Sequence, residues 1–395
     1  MIYSCEMNVC FETFGCRLNR AESQEDEAKC LAAGHRVVSD HAEADVIVVR
    51  GCSVTARAQR DSEKFVAHLK RKYPFKRVHV TGCLEGAQPF TVRESDGRRT
   101  VKPERFSRAY LKVQDGCSGK CTFCIVPKFR GASVSEDFDA TLDRAKRFID
   151  AGFHEIVVTG CNLALYASGG KRLPELVAAL AELDPSGCRV RLGSLEPFSF
   201  AAETVAAMAE HANVCRFLHV PVQSGADRML AAMGRPYDIA SVAALFASAG
   251  KLMPEIAIGC DMIAGFPGES NRDHLESAAF LREAKAVNVH AFPYSVRPDT
   301  PAAAMSGRLP RDLASGRAKE LAAIGEANRR AFAQRFLNRT VEVVIENEKR
   351  SAGWTGEHLW FEGSDVFAPD CVRRRELVKF KVREAHHGRL TGCLN

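Results

Sequence analysis

The sequence predicts an α/β protein in three parts. These are an open N-terminal βαβ unit over residues 1–103, a partial TIM-like barrel of six β/α units over 104–334, and a small antiparallel β-barrel over 335–395. Three observations lead there. Short apolar runs alternate with helix-period segments through the first two parts, an order that makes parallel sheets with crossover helices. Six such units follow one another in the middle part, fewer than the eight of a complete barrel. The last part changes to apolar/polar alternation punctuated by Gly353, Gly356, Gly363 and Gly388, the pattern of a small β-barrel. A chain of 395 residues, at roughly 150 per domain, agrees with two or three domains.

The first part reads as strand Val9–Phe14, helix 20–33 ending at Gly34, strand Asp45–Val49, helix 55–72 and strand Arg77–Thr81. In the second part, strands are expected at Tyr110–Gln114, Glu155–Thr159, Arg189–Leu192, Phe217–Val222, Ile256–Ile263 and Val289–Tyr294. Helices are expected at 139–151, 174–183, 202–211, 238–250 and 272–286, with a long closing helix near 310–335. The third part places strands at Thr340–Ile345, around Leu359–Phe361 and at Leu377–Val382.

Composition narrows the class. Apolar residues are 46% and charged residues 26%, enough apolar surface to offset chain entropy and exclude disorder as the main state. Nothing reads as a membrane span or a secretory leader, so a cytoplasmic protein is expected. Net charge is +6, which permits an anionic partner such as RNA without demanding one. Cysteine is the unusual residue, with 15 copies. A reduced compartment and an odd count argue against a disulfide framework and for metal or catalysis.

Cys117-Ser-Gly-Lys-Cys121-Thr-Phe-Cys124 follows the first barrel strand, at the end where barrel chemistry is done. Three thiolates this close suit one face of a cubane iron–sulfur cluster and leave one iron open. A structural zinc site wants four ligands, and no second pair of suitable spacing is present. Cys16, Cys52 and Cys83 each follow a predicted strand of the N-terminal sheet, and each is preceded by Gly. Ligands of open α/β sheets gather beyond those strand ends. Three buried core cysteines would also explain them; the repeated Gly-Cys favours a second cluster. Cys161, after the second barrel strand, reads as an ordinary residue.

Cys-x3-Cys-x2-Cys at the end of a first barrel strand resembles the radical S-adenosylmethionine (SAM) superfamily. The whole chain resembles the methylthiotransferase family, through Thr13–Asn19, Lys112–Cys117, Leu218–Gly225, Ile263–Glu269 and Phe292–Pro301. That resemblance implies a three-Cys N-terminal domain, a radical SAM barrel and a C-terminal TRAM barrel. It implies two [4Fe-4S] clusters, one on Cys117, Cys121 and Cys124 and an auxiliary one on Cys16, Cys52 and Cys83, with no catalytic residue beyond these ligands. In the family's scheme one SAM methylates a sulfur on the auxiliary cluster. A second SAM gives the 5′-deoxyadenosyl radical that opens a C–H bond. It further implies a tRNA substrate, an electron donor such as flavodoxin or ferredoxin, a monomer and no membrane.

Strand ends supply the expected SAM contacts: Thr159 and Gly160, Ser194 and Glu196, Gln223 with Ser224, and Gly265 with Phe266. Gly265 as packing relief and Glu196 as a helix cap are the plain alternatives. Lys128 and Arg130 suit either a carboxylate or phosphate or a solvated turn. In the last part the charge is nearly balanced. On their own, Arg373, Arg374 and Arg375 with Lys379 and Lys381 read as a solvated edge, and Trp354, Trp360 and Phe361 as filling of the barrel core; the resemblance, in which this domain binds tRNA, implies RNA contacts from the former and stacking from the latter.

Phe14-Gly-Cys-Arg-Leu-Asn19 and Cys52-Ser-Val-Thr55 resemble most the branch acting on N6-threonylcarbamoyladenosine at tRNA position 37, beside the anticodon. Isopentenyladenosine in tRNA and a ribosomal-protein aspartate are the alternative substrates. A non-catalytic iron–sulfur or zinc protein that binds RNA is the alternative of another class. Two departures stand out. The connection from Cys83 to Cys117 is short, so the N-terminal domain is trimmed. Arg50-Gly51 replaces the family's Asn-Thr, and Arg50→Asn is expected to be tolerated.

Overall fold

The computed structural model describes residues 6–92, 105–364 and 372–394; the expected boundary at 103/104 lies outside them. The N-terminal part is a four-stranded parallel sheet built from β1 (Asn8–Thr13), β2 (Arg36–Val38), β3 (Val46–Gly51) and β4 (Arg77–Gly82). Its order is β2-β1-β3-β4. The crossovers carry α1 (Arg17–Ala32) and α2 (Ala56–Lys72). The Thr55 hydroxyl caps α2 by accepting from the Ala58 N–H at 3.1 Å, satisfying one donor the helix itself leaves open. The edge strand β2 was not expected from sequence: three residues are too few to show alternation.

The central part opens with β5 (Ala109–Lys112) and β6 (Gln114–Asp115), followed by α3 (Val126–Arg130), β7 (Val134–Ser135) and α4 (Phe138–Asp150). Next come β8 (Glu155–Thr159), a small hairpin of β9 (Ala167–Ser168) and β10 (Lys171–Arg172), α5 (Leu173–Glu182), β11 (Arg189–Leu192) and α6 (Ala201–Glu210). Then follow β12 (Phe217–Gln223), α7 (Asp227–Ala232), α8 (Ile239–Leu252), β13 (Ala257–Ala264), α9 (Asn271–Glu283), β14 (Asn288–Pro293) and the long α10 (Arg311–Gln334). The six expected barrel strands and their helices are all present, within a few residues of the expected ends.

These strands form two parallel triplets, β11-β8-β5 and β12-β13-β14, joined by two isolated bridges, Ser194 with His219 and Val190 with Val214 just before β12. The barrel is therefore incomplete, with β5 and β14 at its two edges. Alternation sorts their side chains. Leu111, Ile156, Val158, Val190, Val220 and Cys260 belong to the outer core under the helices. The opposite face turns inward with Arg108, Glu155, Arg191, His219, Asp261 and His290, an interior of charge rather than hydrocarbon. Helix α1 of the N-terminal part packs on this inner face, with Ala21 against Tyr110 and Val157. It fills the gap beside β5, while α10 packs along β14.

The last part is a closed barrel of β15 (Thr340–Asn347), β16 (Ala352–Thr355), β17 (Trp360–Gly363), β18 (Leu377–His386) and β19 (Arg389–Leu394). Four of its strand pairs are antiparallel, and β17 against β19 is parallel. This barrel docks under the N-terminal ends of the central strands, where Phe217, Ala257 and Val287 join its core. No helix among the described residues is long and apolar enough to cross a membrane.

The junction is electrostatic at its centre. Glu155 has no exposed surface and accepts from Arg189 at 2.6 Å and Arg191 at 2.8 Å, with Arg108 at 3.5 Å. Arg189 donates on to the Glu342 and Trp354 carbonyls, and Arg191 to those of Thr355 and Gly356. Burial alone would raise the Glu155 carboxyl; the three guanidinium groups hold it well below the ordinary carboxylate range. Glu155→Gln leaves buried cations uncompensated, and we expect a loss of about 3–5 kcal/mol in urea unfolding. In the wild type this contribution is full above the unfolded value of 4.5 and drains only as pH falls below it toward the depressed folded value. Stability of this junction, followed by hydrogen exchange in β15 and β16, is therefore flat from pH 7 to 5.

Candidate functional site

Cys117, Cys121 and Cys124 lie on the loop closed at its base by the antiparallel pair β6–β7. Gln114, fully buried, donates to the Asp115 and Gly116 carbonyls and the Ser133 hydroxyl, and accepts from the Asn162 N–H at 2.8 Å. Gly116 has φ +65, and a Cβ there would stand 1.9 Å from the Ala132 carbonyl oxygen, so the loop can start only from glycine. Thr122 binds the end of α7 through the Met233 and Ala232 carbonyls, and Phe123 packs edge-on to Phe266. Three donors face the sulfurs: Arg235 to Cys121 at 2.9 Å, the Gly119 N–H to Cys117 at 3.3 Å and Asn162 toward Cys117 at 3.8 Å. Burial pushes the Cys124 thiol up to about 11 and raises Cys121, so metal binding here releases protons.

Cys16, Cys52 and Cys83 come together at the C-terminal ends of β1, β3 and β4. Cys16 is the N-cap of α1. Gly15 has φ +92, and a Cβ on it would meet the Cys52 sulfur at 2.5 Å. Burial raises the thiols of Cys52 and Cys83; Cys16 and Cys83 add to the rise at Cys52, and Cys16 adds to it at Cys83. The donor set is three sulfurs with a glycine-made recess beside them, which fits a cubane held on three corners as the first loop does.

Between the two trios lies a buried ion network. Arg130 donates to both oxygens of Glu22 (2.9 and 3.0 Å), to Asp115 (3.0 Å), to Asn19 Oδ1 (2.8 Å) and to the Cys83 sulfur (3.1 Å). Lys112 reaches Glu22 and Asp115, and Arg50 reaches Glu22 at 2.8 Å, Ser23 at 3.2 Å and Asp26. Against the upward push of burial, Arg130 and Arg50 hold the Glu22 carboxyl below its usual range. Asp26, with Arg50 as its ion-pair partner, is pushed by burial up to about 6. A cleft of about 460 Å³ opens here, lined among others by Glu22, Arg50, Cys83 and Arg130. Arg130 thus meets protein carboxylates. Cys161 also belongs here, its thiol 3.5 Å from Asp115 Oδ1.

The expected contacts with SAM fall in unequal places. Thr159 is buried at the top of β8, and a Cβ on Gly160 would stand 2.8 Å from Gln114 Oε1. Ser194 is exposed. Glu196 is ion-paired with Arg235, and burial raises its carboxyl to about 7. Gln223 takes φ +73, a strained conformation at the mouth of the barrel. Ser224 is buried, its hydroxyl 3.3 Å from that of Ser277. Gly265 packs on Ala314, where a Cβ would approach to 2.4 Å. Phe266 is fully enclosed between Phe123 and Tyr294, so its ring supports the cysteine loop from below.

In the C-terminal barrel Arg373 and Arg374 are exposed; Lys379 lies 3.6 Å from Glu342, and Lys381 is half-buried. Arg375 differs from the sequence expectation. It is buried, donates to the Phe106 carbonyl at 2.7 Å and lies over the Phe153 ring, so it joins two domains and offers RNA nothing. Phe361 is core, whereas Trp354 and Trp360 are half-buried beside His358.

Sequence reading missed Arg235, Asn162 and the inner ring of Arg17, His219, Asp261 and His290. Strand alternation was the available signal for the last three: they share parity with the inward face. Asp261 lies 3.1 Å from His219 Nε2 and 3.2 Å from His290 Nδ1. Against burial, these two hold its carboxyl below the usual range.

Comparison with known proteins adds family context. The model of the Radical SAM superfamily matches residues 111–281, and that of Uncharacterized protein family UPF0004 matches residues 8–101. The Threonylcarbamoyladenosine tRNA methylthiotransferase MtaB of Bacillus subtilis is 28% identical over 430 aligned positions, covering 95% of this chain and 94% of that one. The tRNA-2-methylthio-N(6)-dimethylallyladenosine synthase of Erythrobacter litoralis is 30% identical, covering 89% of this chain and 81% of that one. In fold, the radical S-adenosylmethionine methyltransferase TsrM of Kitasatospora setae superposes with a TM-score of 0.54 at 14% identity, over 76% of this chain and 77% of that one.

The ion network revises the expectation for Arg50. Arg50→Asn removes the partner of buried Asp26 and one partner of Glu22. We expect a loss of about 3 kcal/mol in urea unfolding of the intact chain. An unchanged midpoint would mean that water already solvates these carboxylates.

Proposed function

The chain belongs to the radical SAM methylthiotransferase family, and from that premise we propose that it methylthiolates C2 of N6-threonylcarbamoyladenosine at position 37 of tRNA. The observation that supports the reading is the pair of three-thiol sites at strand C-terminal ends, linked by Arg130, which ends the helix after Cys124 and donates to Cys83 of the other trio. We assign a [4Fe-4S] cluster and SAM to Cys117, Cys121 and Cys124, and an auxiliary [4Fe-4S] cluster to Cys16, Cys52 and Cys83. When bound, these groups supply a radical that opens an unactivated C–H bond and the sulfur that replaces its hydrogen.

The chain's own residues do the rest. Arg235, Gly119 and Asn162 direct N–H groups at the loop sulfurs, which stabilises thiolate charge and tunes a cluster's potential. Glu196 compensates Arg235. Phe123, Phe266 and Tyr294 keep water from beneath the loop. Thr159, Gly160, Ser194 and Gln223 line the strand ends where SAM would lie. Arg373, Arg374, Lys379 and Lys381 are our candidates for phosphate contacts. Because the C-terminal barrel sits at the other end of the central strands, an RNA touching both must run beside them for roughly 20 Å, at about 3.3 Å per residue of β12. An anticodon arm is long enough.

Two measurements test this. Nucleoside mass spectrometry of tRNA from a strain lacking the gene is expected to show loss of the 2-methylthio derivative of N6-threonylcarbamoyladenosine. The gene restores it, and a Cys117→Ala copy does not. Loss of the isopentenyl analogue instead would change the substrate and keep the chemistry. Anaerobic metal analysis is expected to give about eight irons per chain, falling to about four when Cys16, Cys52 and Cys83 are all Ser. Zinc alone would overturn the enzyme reading, and iron unchanged in the triple variant would remove the auxiliary cluster.

A further inference from the structure

Arg17 stands out among the charged side chains of the barrel interior. It is the first residue of α1, directly after Cys16, and it is only partly exposed. Among the described residues it makes no ion pair and no hydrogen bond. Its electrostatic neighbours Arg191 and Arg108 carry the same charge. Their own charges are taken up by Glu155, Glu346 and carbonyl groups of the C-terminal barrel. Tyr110 is engaged by Arg20 at 3.5 Å, and Asp261 is held by His219 and His290. The fold thus carries a guanidinium into a charged interior and leaves it without a partner, a costly arrangement for the protein alone.

We propose that Arg17 is an anion-binding residue whose ligand is a carboxylate on the substrate's N6 side chain. This rests on the function proposed above. N6-threonylcarbamoyladenosine carries a carboxylate on that side chain, whereas the isopentenyl group is uncharged and apolar. A planar guanidinium matches a carboxylate through two parallel hydrogen bonds, and in a site shielded from water that pair is strong. The position suits the task. Arg17 adjoins a cysteine of the auxiliary trio, so a base held through its side chain is held beside the sulfur it is to receive. Asp261, with His219 and His290, faces the same space and is available to accept from the N–H or hydroxyl groups of such a side chain. A site built around a charged hydrogen bond also rejects analogues that lack the partner.

The test uses the full chain with its clusters and synthetic anticodon stem-loops bearing adenosine, isopentenyladenosine or N6-threonylcarbamoyladenosine at position 37. Binding is read by fluorescence anisotropy, and turnover by nucleoside mass spectrometry. In the wild type, the threonylcarbamoyl loop is expected to bind and turn over best. Arg17→Gln is expected to cut binding and turnover of that loop about ten- to a hundredfold, as loss of a hydrogen bond to a charged group implies. Affinity for the adenosine loop, SAM affinity, iron content and the thermal midpoint are expected to stay as in the wild type. Arg17→Lys is expected to recover part of the loss. A variant that keeps the wild-type preference among the three loops overturns the assignment. So does a fall in SAM affinity, which would give the carboxylate to SAM. A wild type that modifies only the isopentenyl loop refutes the proposed substrate itself, a result visible before any variant is made.

Discussion

Glu22 accepts from Arg130 with both oxygens and from Arg50 with one, and Lys112 lies within 3.4 Å. Around it three carboxylates, of Glu22, Asp26 and Asp115, face three cations, of Arg50, Arg130 and Lys112. Two of these side chains come from α1, one from β3, and the others from β5, β6 and α3. The set therefore balances only when the N-terminal sheet is seated in the open barrel. Desolvating such a cluster is expensive, and breaking any one pair leaves an uncompensated charge. This makes the seating all-or-none, which is what two cysteine sites need if both are to act on one substrate. The N-terminal helix is in effect the missing wall of the barrel. Its Ala21 meets the inward Tyr110 and Val157 as a barrel side chain would.

The fold was legible because its signals are local. Alternation, crossover spacing and caps such as Thr55, Asp137 and Ser270 mark each element within its own stretch of chain. The cysteine trios were legible for a related reason: one is contiguous, and the other repeats Gly-Cys at strand ends. Arg50, Arg130 and Arg235 were not, because their partners lie far along the chain. Arg130 pairs with Glu22 across 108 positions and Arg235 with Glu196 across 39. A basic residue in sequence reads as solvated, since most are. Arg375 failed the same way: it follows two exposed arginines, and its φ of +82 and the Phe106 carbonyl turn it inward. The parallel closure of β17 on β19 had no local signature either.

At the other end of the barrel the same physics serves attachment. Arg189 and Arg191 carry charge from Glu155 to carbonyl groups of the C-terminal barrel, so a strand-bottom residue that would ordinarily be hydrophobic becomes a polar socket. His358 caps it, stacked on Phe217 and Trp354. Burial, with Arg191, Arg17 and Arg108 nearby, pushes its imidazole far below its ordinary value, so it stays neutral and packs as an aromatic. The positive field it feels fills the same interior that holds Arg17. An anion entering from the open side is therefore attracted before it is bound.

The short connection between Cys83 and β5 leaves in place the elements that carry this arrangement. All three cysteines, Asn19, Glu22 and Arg50 lie on β1, α1, β3 or the turns at their ends and that of β4, and every one of these elements is present. Phe90 and Val92, on the connection toward β5, pack against Val9, Phe11 and Val48 and cover the sheet face beside α1. Ala87, Gln88, Pro89 and Phe90 of the same connection also line the cleft beside Arg130. The constraint on this domain is the seat of α1 in the barrel, and a connection needs only to span from Cys83 to β5 without drawing α1 off Tyr110 and Val157.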